Sequence, residues 1–452
     1  MMPFKFFVIT DTHYFSKKLS ASGKPYEDFM DFEQKCYAET PYINDAVFDY
    51  IASSDEADTV LIAGDLSFNG EKASHEEFVE LLNKLKNAGK DIYVVTAGHD
   101  IEQNPFEYTE EGRQTVECVK FFDLYDYYRD FGYDKAISFY KENLSYMAQL
   151  ADGIRLLVLC NDSAEKKNIA YTDELYAWAK EQLDKAKEDG QMVFAMEHYP
   201  VLAGQPILSL IPDARQKESK KLYTFLADNG VHLIFTGHMH NQSVNVVETE
   251  KGNAFYDVCT GSVIGCPAFI RLCTIEDEKT VHIKSIPVPE FEWDKKGKTG
   301  TVYLKDQFER MIRTLVSSMQ DDPSRVLRKF GSDNPKLHKI IRIIGKALNS
   351  WTVGRVAKIF FVKAHKDIKD RKFIELIVDI VRNAFEGDQP FTEGTPEGDT
   401  VLKVFRRLKP VFRILNKKLH GSQGEEIDMY ELLKHSLGNY GISDYDATLI
   451  LK

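Results

Sequence analysis

Short apolar runs, each stopping at a polar or glycine-containing turn, recur through the first 260 residues. Residues 4–10, 59–63, 91–95, 154–160, 191–196 and 231–236 each have the length and β-branched or aromatic content of a buried strand. Between them the apolar spacing changes to that of a helix. Phe78, Val79, Leu81, Leu82 and Leu85 predict one over residues 76–86, closed by Gly89. Residues 173–186 predict another, residues 46–51 suit part of a third, and a further one precedes Gly230. Residues 14–40 show no period and read as a long loop over the strand ends. Residues 254–259, 269–274 and 281–286 look like short strands that complete a second sheet layer. Strands alternating with helices predict an α/β unit whose sheets are covered by helices.

Two stretches depart from that alternation. Residues 101–150 are crowded with aromatics, among them Phe106, Tyr108, Phe121, Tyr128, Tyr133 and Tyr146. An insertion there could stack an aromatic ligand, but a small helical satellite core that uses the rings for itself is the simpler expectation. Beyond residue 300 the pattern is helical, over 307–319, 337–348, 373–385, 401–419 and 429–437, with a Gly/Pro/Thr/Glu break at 387–399. We therefore expect an α/β unit over 1–300, with its insertion at about 101–150, and a helical unit of unknown role over 301–452.

Composition supports this division. A chain of 452 residues exceeds one ordinary core, and 43% hydrophobic with 28% charged residues is the balance of a globular protein. Residues 301–452 hold 27 Lys and Arg against 20 Asp and Glu, a net of +7, so the first 300 residues carry −19 of the overall −12. So acidic a first unit argues against a general nucleic-acid binder, which needs clustered Lys and Arg. Six cysteines without a C-x-x-C pair, together with an N-terminus that lacks the features of a leader, suggest a reducing compartment, and we expect the cytoplasm. Residues 401–419 carry seven basic residues and no acid, interleaved with Val404, Phe405, Leu408, Val411, Phe412, Ile414 and Leu415. A basic amphipathic helix can lie on an anionic membrane or dock on a protein, but Pro410 interrupts the pattern and packing within a helical bundle is favoured.

The chemistry sits where the strands stop. Asp11 and His13, Asp65, His99 and Asp100, His198, and His238 with His240 all follow predicted strand ends, the place where α/β sheets gather ligands. His238-Met239-His240 alone would say little, since ordinary loops also contain such pairs. The recurrence after five strands points to a pair of divalent ions. Carboxylate and imidazole donors suit Mn, Fe or Zn, and one carboxylate can bridge two ions that activate water towards phosphorus. Gly237 is expected to let the backbone turn sharply after residues 231–236.

In their order, Asp11-Thr12-His13, Gly64-Asp65, Gly98-His99-Asp100, His198 and Gly237-His238-Met239-His240 resemble the pattern D-x-H, G-D, G-N-H-[DE], H, G-H-x-H of the calcineurin-like metallophosphoesterases. The resemblance covers roughly residues 4–290. Gly64 to Lys72 with Ser74-His75-Glu76-Glu77 looks most like the branch containing the class III cyclic-nucleotide phosphodiesterases. The resemblance implies a four-layer α/β/β/α sandwich and leaves unexplained the C-terminal helical domain that the pattern after residue 300 predicts. It further implies that Asp11, His13 and His240 hold one ion, Asp65 bridges, and His198 and His238 hold the second. His99 would serve as general acid or charge stabiliser near the leaving group, oriented by Asp100. One position departs from the pattern: Gly98 stands where the family has Asn, which removes an amide ligand of the second ion. Water or Thr96 would fill the gap, or that ion binds weakly.

The function implied is a metal-dependent phosphoesterase that cleaves a small-molecule phosphodiester, a cyclic nucleotide among the candidates, by attack of a hydroxide bridging the two metals. The alternatives are a phosphomonoesterase of the same fold, or a scaffold without chemistry whose second metal site is weakened.

Overall fold

Successive side chains of the first strand, Phe4–Ile9, point to opposite sides, and the structure buries both. Phe6 stacks on Phe194 at 5.2 Å and meets Phe235 edge-on at 5.4 Å, whereas Phe7 faces Tyr50 of the helix Thr40–Ser53. A strand that is apolar on both sides needs a layer over each. The computed structural model, which describes residues 3–101, 105–329 and 334–451, supplies them as two facing sheets with helices outside each.

The first sheet runs Ala447–Ile450, Thr280–Pro287, Phe269–Ile275, Phe4–Ile9, Thr59–Ala63, Asp91–Val95, with the last three parallel and the rest antiparallel. Helices Thr40–Ser53 and Lys72–Asn87 cover it through Val47, Phe48, Phe78 and Leu82. The second sheet runs Ser243–Glu248, Ala254–Cys259, Leu233–Thr236, Met192–Met196, Ile154–Val158, Ser145–Ala151, Ala136–Tyr140, with its four middle strands, from Ala254–Cys259 to Ile154–Val158, parallel. Leu156, Phe194, Leu233 and Phe235 face the first sheet. Their neighbours Leu157, Ala195 and Ile234 face the helices Asp173–Glu188 and Ser219–Asp228. The fold is thus a four-layer α/β/β/α sandwich, and the parallel strands of both sheets deliver their carboxyl ends to one rim.

Three expectations change. Residues 254–259 do join the second sheet, but 269–275 and 280–287 extend the first, because Phe4–Ile9 has an open edge that Phe269–Ile275 fills antiparallel. The aromatic segment after residue 101 is not a helical satellite. It forms the hairpin Phe106–Thr109 with Gly112–Thr115, one short helix Leu124–Tyr128, and the two outer strands of the second sheet. Its rings serve packing, Tyr133 and Tyr146 in the main core and Phe106 and Tyr108 beside Phe15, Tyr37 and Phe68. In the loop over 14–40 lies a short helix, Gly23–Met30.

After Thr299 the chain is helical, in Gly300–Asp321, Pro323–Lys329, Pro335–Ser350, Val353–Ile359, Phe373–Glu386, Pro396–Leu415 and Met429–Leu437. Pro410 lies within Pro396–Leu415 and does not end it. The chain then returns to the sandwich as the strand Ala447–Ile450. Arg271, fully buried, is where these parts meet. Its guanidinium donates to Cys259 O at 2.9 Å in the second sheet and to Asp444 O at 2.6 Å in the returning segment.

Candidate metal centre

At the rim the backbone leaves the strands in an unusual conformation. Asp11, His13, Asp65, His238 and His240 all have left-handed φ, between 37° and 68°. Each costs energy for a residue with a Cβ, and such strain gathers at functional sites. Here it aims side chains from strands 227 positions apart in sequence at one point. Gly237 has another task than the turn expected of it. A Cβ there would lie 2.0 Å from Thr10 Oγ1 and 2.5 Å from Asp11 Oδ2, so its lack of a side chain admits the end of Phe4–Ile9 against that of Leu233–Thr236.

Both carboxylates are half-anchored. Asp11 Oδ2 accepts from the His238 N–H at 2.9 Å and from Thr10 Oγ1 at 2.8 Å. Its Oδ1 points among His240 Nε2 at 3.2 Å, His13 Nε2 at 3.7 Å and His198 Nε2 at 3.9 Å, with no hydrogen-bond partner. Asp65 Oδ1 accepts from the His99 N–H at 2.9 Å, leaving Oδ2 3.0 Å from His198 Nε2 and 3.7 Å from His13 Nε2. One oxygen of each is fixed by backbone and the other is left for a ligand.

The imidazoles are prepared in the same way. His198 Nδ1 donates to Ala63 O at 2.7 Å, which turns its other nitrogen to the centre, and that Nε2 has no hydrogen-bond partner. His238 uses Nε2 for Asp213 O at 2.8 Å, leaving Nδ1. His99 Nδ1 lies 2.6 Å from Phe68 O and 3.1 Å from Asn69 Oδ1. His13 and His240 bring their Nε2 atoms to 3.1 Å. Buried polar atoms without partners are costly, and side chains whose donor atoms converge in this way form an arrangement that a positive ion stabilises. Three overlapping groups, Asp11-His13-His240, His13-Asp65-His99 and Asp65-His198-His238, each keep their donor atoms within 4.8 Å of one another. With Asp65 shared, the residues fit a pair of divalent ions.

Electrostatics agree. Burial would raise both carboxyls, yet the imidazoles of His240 and His198 hold Asp11, and those of His198 and His99 hold Asp65, well below the usual carboxylate range. Burial would lower His198, but Asp65 and Asp11 push it up to about 10. His13 and His238 fall to about 4, chiefly through burial. Lys35, buried with its ammonium 4.7 Å over the Phe68 ring, adds positive charge felt by His13 and His99.

Asp100 does not orient the His99 ring directly. Its oxygens accept from the N–H groups of Ser67 and Ala97, both at 2.8 Å, which braces the turn carrying His99 against the loop after Asp65. Phe68 O and Asn69 hold the ring instead. Where the resemblance leads one to expect Asn, a Cβ on Gly98 would lie 2.8 Å from Tyr199 Oη and 3.1 Å from Lys167 Cδ. Those side chains occupy the space. Thr96 Oγ1, considered as a substitute ligand, is buried without a hydrogen-bond partner.

All eight singled-out residues therefore meet at this rim, with Asp100 one step behind. Reasoning from sequence missed Lys35, Asn69, Lys167 and Tyr199. Asn69 lies in the Gly64 to Lys72 stretch and could have been found there; Lys35 and Lys167 lie in aperiodic loops that carry no signal. His75 is a buried brace whose ring nitrogens lie 2.6 Å from Tyr128 Oη and 2.9 Å from Asp100 O.

Comparison with known proteins bears on this arrangement. An uncharacterized metallophosphoesterase-like protein, YydB of Bacillus subtilis (strain 168), is 22% identical over 325 residues, 63% of this chain and 64% of the relative's length. The chain thus spans less than two thirds of that curated relative. A dimetal phosphatase from Danio rerio aligns with TM-score 0.46 and 12% identity over 64% of this chain and 98% of its own. The purple acid phosphatase PPD1 from yellow lupin (Lupinus luteus) seeds aligns with TM-score 0.39 and 11% identity over 66% of this chain and 53% of its own. Residues 4–242, more than half of the sequence, match the family described as calcineurin-like phosphoesterase, and the chain belongs to that family.

Proposed function

We propose that the chain is a metal-dependent phosphohydrolase acting on a small-molecule phosphoester, with a phosphodiester preferred and a nucleotide the first candidate class. The observation that carries this reading is the shared cage, with its strained strand ends and its unpartnered Asp11 Oδ1 and His198 Nε2. Asp11, His13 and His240 would hold one ion, His198 and His238 the other, and Asp65 both. Mn, Fe and Zn suit these donors. Such a pair, when bound, supplies an activated water and neutralises charge on phosphate oxygens.

The chain's own residues do the rest. His99 donates from Nδ1 to Phe68 O, which leaves Nε2 as the atom that faces a leaving oxygen; it passes a proton there only when the ring carries two, a state that burial and Lys35 disfavour and an anionic substrate beside it favours. Asp100 fixes the turn beneath it. The Lys35 ammonium favours an anionic substrate at the same mouth. The preference for a diester rests on the likeness of Gly64 to Glu77, and the cytoplasmic location on six cysteines without a C-x-x-C pair.

A second reading has its own support. Lys167 and Tyr199 filling the place of the Asn ligand suit a scaffold with a weak second site and no turnover. Metal content of the purified chain, followed by hydrolysis of bis-aryl and mono-aryl phosphates with each metal, separates the two. We expect Asp65→Ala to lose both ions and all turnover, and His99→Ala to keep the metal while turnover falls by about 10² to 10⁴. A wild-type chain that loads metal but turns over neither ester would leave the scaffold.

A further inference from the structure

One helix of the C-terminal region presents the wrong side to water. Pro335–Ser350 packs on Gly300–Asp321 so closely that a Cβ on Gly345 would lie 2.6 Å from Gln320 N. On its outer side Leu337, Ile340, Ile343 and Ile344 follow helical spacing and stay exposed, Ile340 by 56% and Ile343 by 59%. The next segment exposes Ile359 and leaves Phe361 88% exposed. Apolar side chains of this size scattered singly are ordinary, but a continuous stripe marks a surface for something else.

The surrounding charge says what. Residues 335–366 contain eight Lys or Arg and no Asp or Glu. Three arginines elsewhere in this region are matched: Arg313 with Glu375, Arg371 with Asp379, Arg382 with Glu309. Among the described residues, none of the eight forms an ion pair; Arg342 Nε donates to Gln320 O and Arg355 lies over the Trp351 ring. Lys336, Lys339 and Lys346 flank the apolar stripe, all exposed. A second copy is a poor occupant, since self-pairing of this face sets positive charge on positive charge. An anionic lipid surface satisfies both features, taking isoleucines into its headgroup boundary and lysines against its phosphates.

We propose that the face formed by Leu337, Ile340, Ile343 and Ile344 with Lys336, Lys339 and Lys346 docks the chain on an anionic membrane surface. The face is distinct from residues 401–419, whose helix turns Phe412 into a cluster with Ile427 and Tyr430.

Co-sedimentation of the full chain with phosphatidylcholine vesicles, with and without phosphatidylglycerol, tests this. Binding is expected only with phosphatidylglycerol, at low salt, and is released as salt rises. Lys339→Ala and Lys346→Ala should each weaken it about fivefold. Ile340→Ser with Ile343→Ser should abolish it, and Val411→Ser with Ile414→Ser should leave it unchanged. All these positions are exposed, so thermal unfolding verifies that each variant is folded. Failure of the wild type to sediment with anionic vesicles overturns the proposal. So does binding that survives the isoleucine changes or is lost with Val411 and Ile414, and so does a concentration-dependent dimer, removed by the isoleucine changes, in a chain that ignores vesicles.

Discussion

At Gly98 a single missing side chain has been absorbed by its neighbours rather than left as a hole. Tyr199 Oη and the Lys167 methylenes occupy the volume an Asn would need. Restoring the residue common in the family should therefore do harm: we expect Gly98→Asn to lower stability by about 1–3 kcal/mol, as overpacking does, without raising affinity for the second ion. Combining it with Tyr199→Phe, which removes the obstructing hydroxyl, should recover part of the loss; calorimetric unfolding and metal titration would read both. The candidate ligands were legible in the sequence because chemistry restricts their identity and the strands space them regularly. Tyr199 and Lys167 were not, since any side chain of suitable bulk can fill a gap and nothing in one sequence records which one did.

Elements repeat the lesson at larger size. The inner strands of both sheets could be read from the chain because burial on two sides demands an unbroken apolar run, as in Val60, Leu61 and Ile62. The edge strand Ala136–Tyr140 and its neighbour Ser145–Ala151 escaped, being of mixed polarity with aromatics that also suit a helix. Which sheet a strand joins is a long-range choice, so Phe269–Ile275 and Thr280–Pro287 were recognised as strands and assigned to the wrong layer. The helix Lys72–Asn87 does more than cover a sheet, because His75 ties its first turn to Asp100 O and Tyr128. We expect His75→Leu, which strands both partners, to cost about 1–3 kcal/mol. If His99 acts in turnover, the same change should lower kcat more than it alters KM, whereas a purely structural role would show only in melting.

For the whole molecule, the change of composition near residue 300 is real but is no clean seam. Asp444 Oδ1 accepts from Val244 N at 2.8 Å, Arg271 donates to Asp444 O, and Ala447–Ile450 adds to the first sheet. Four residues of modest hydrophobicity at the far end of a helical region give no hint of such a return. We expect Arg271→Ala, which empties a buried guanidinium site and strands carbonyls of the second sheet and of the returning segment, to destabilise by about 3–5 kcal/mol, and removal of residues 441–452 to make the sandwich unfold and aggregate although its candidate metal ligands are untouched. Chemical denaturation and light scattering measure the two.

That returning strand also sets an order of events during synthesis. Thr280–Pro287 leaves the ribosome long before its outer neighbour exists, so its free backbone groups must wait while more than 150 further residues are translated. Through that interval the nascent polypeptide exposes a ladder that any other extended chain could occupy. Helpers that shield unfinished sheets should matter more to this protein's yield than the stability of the finished product would suggest.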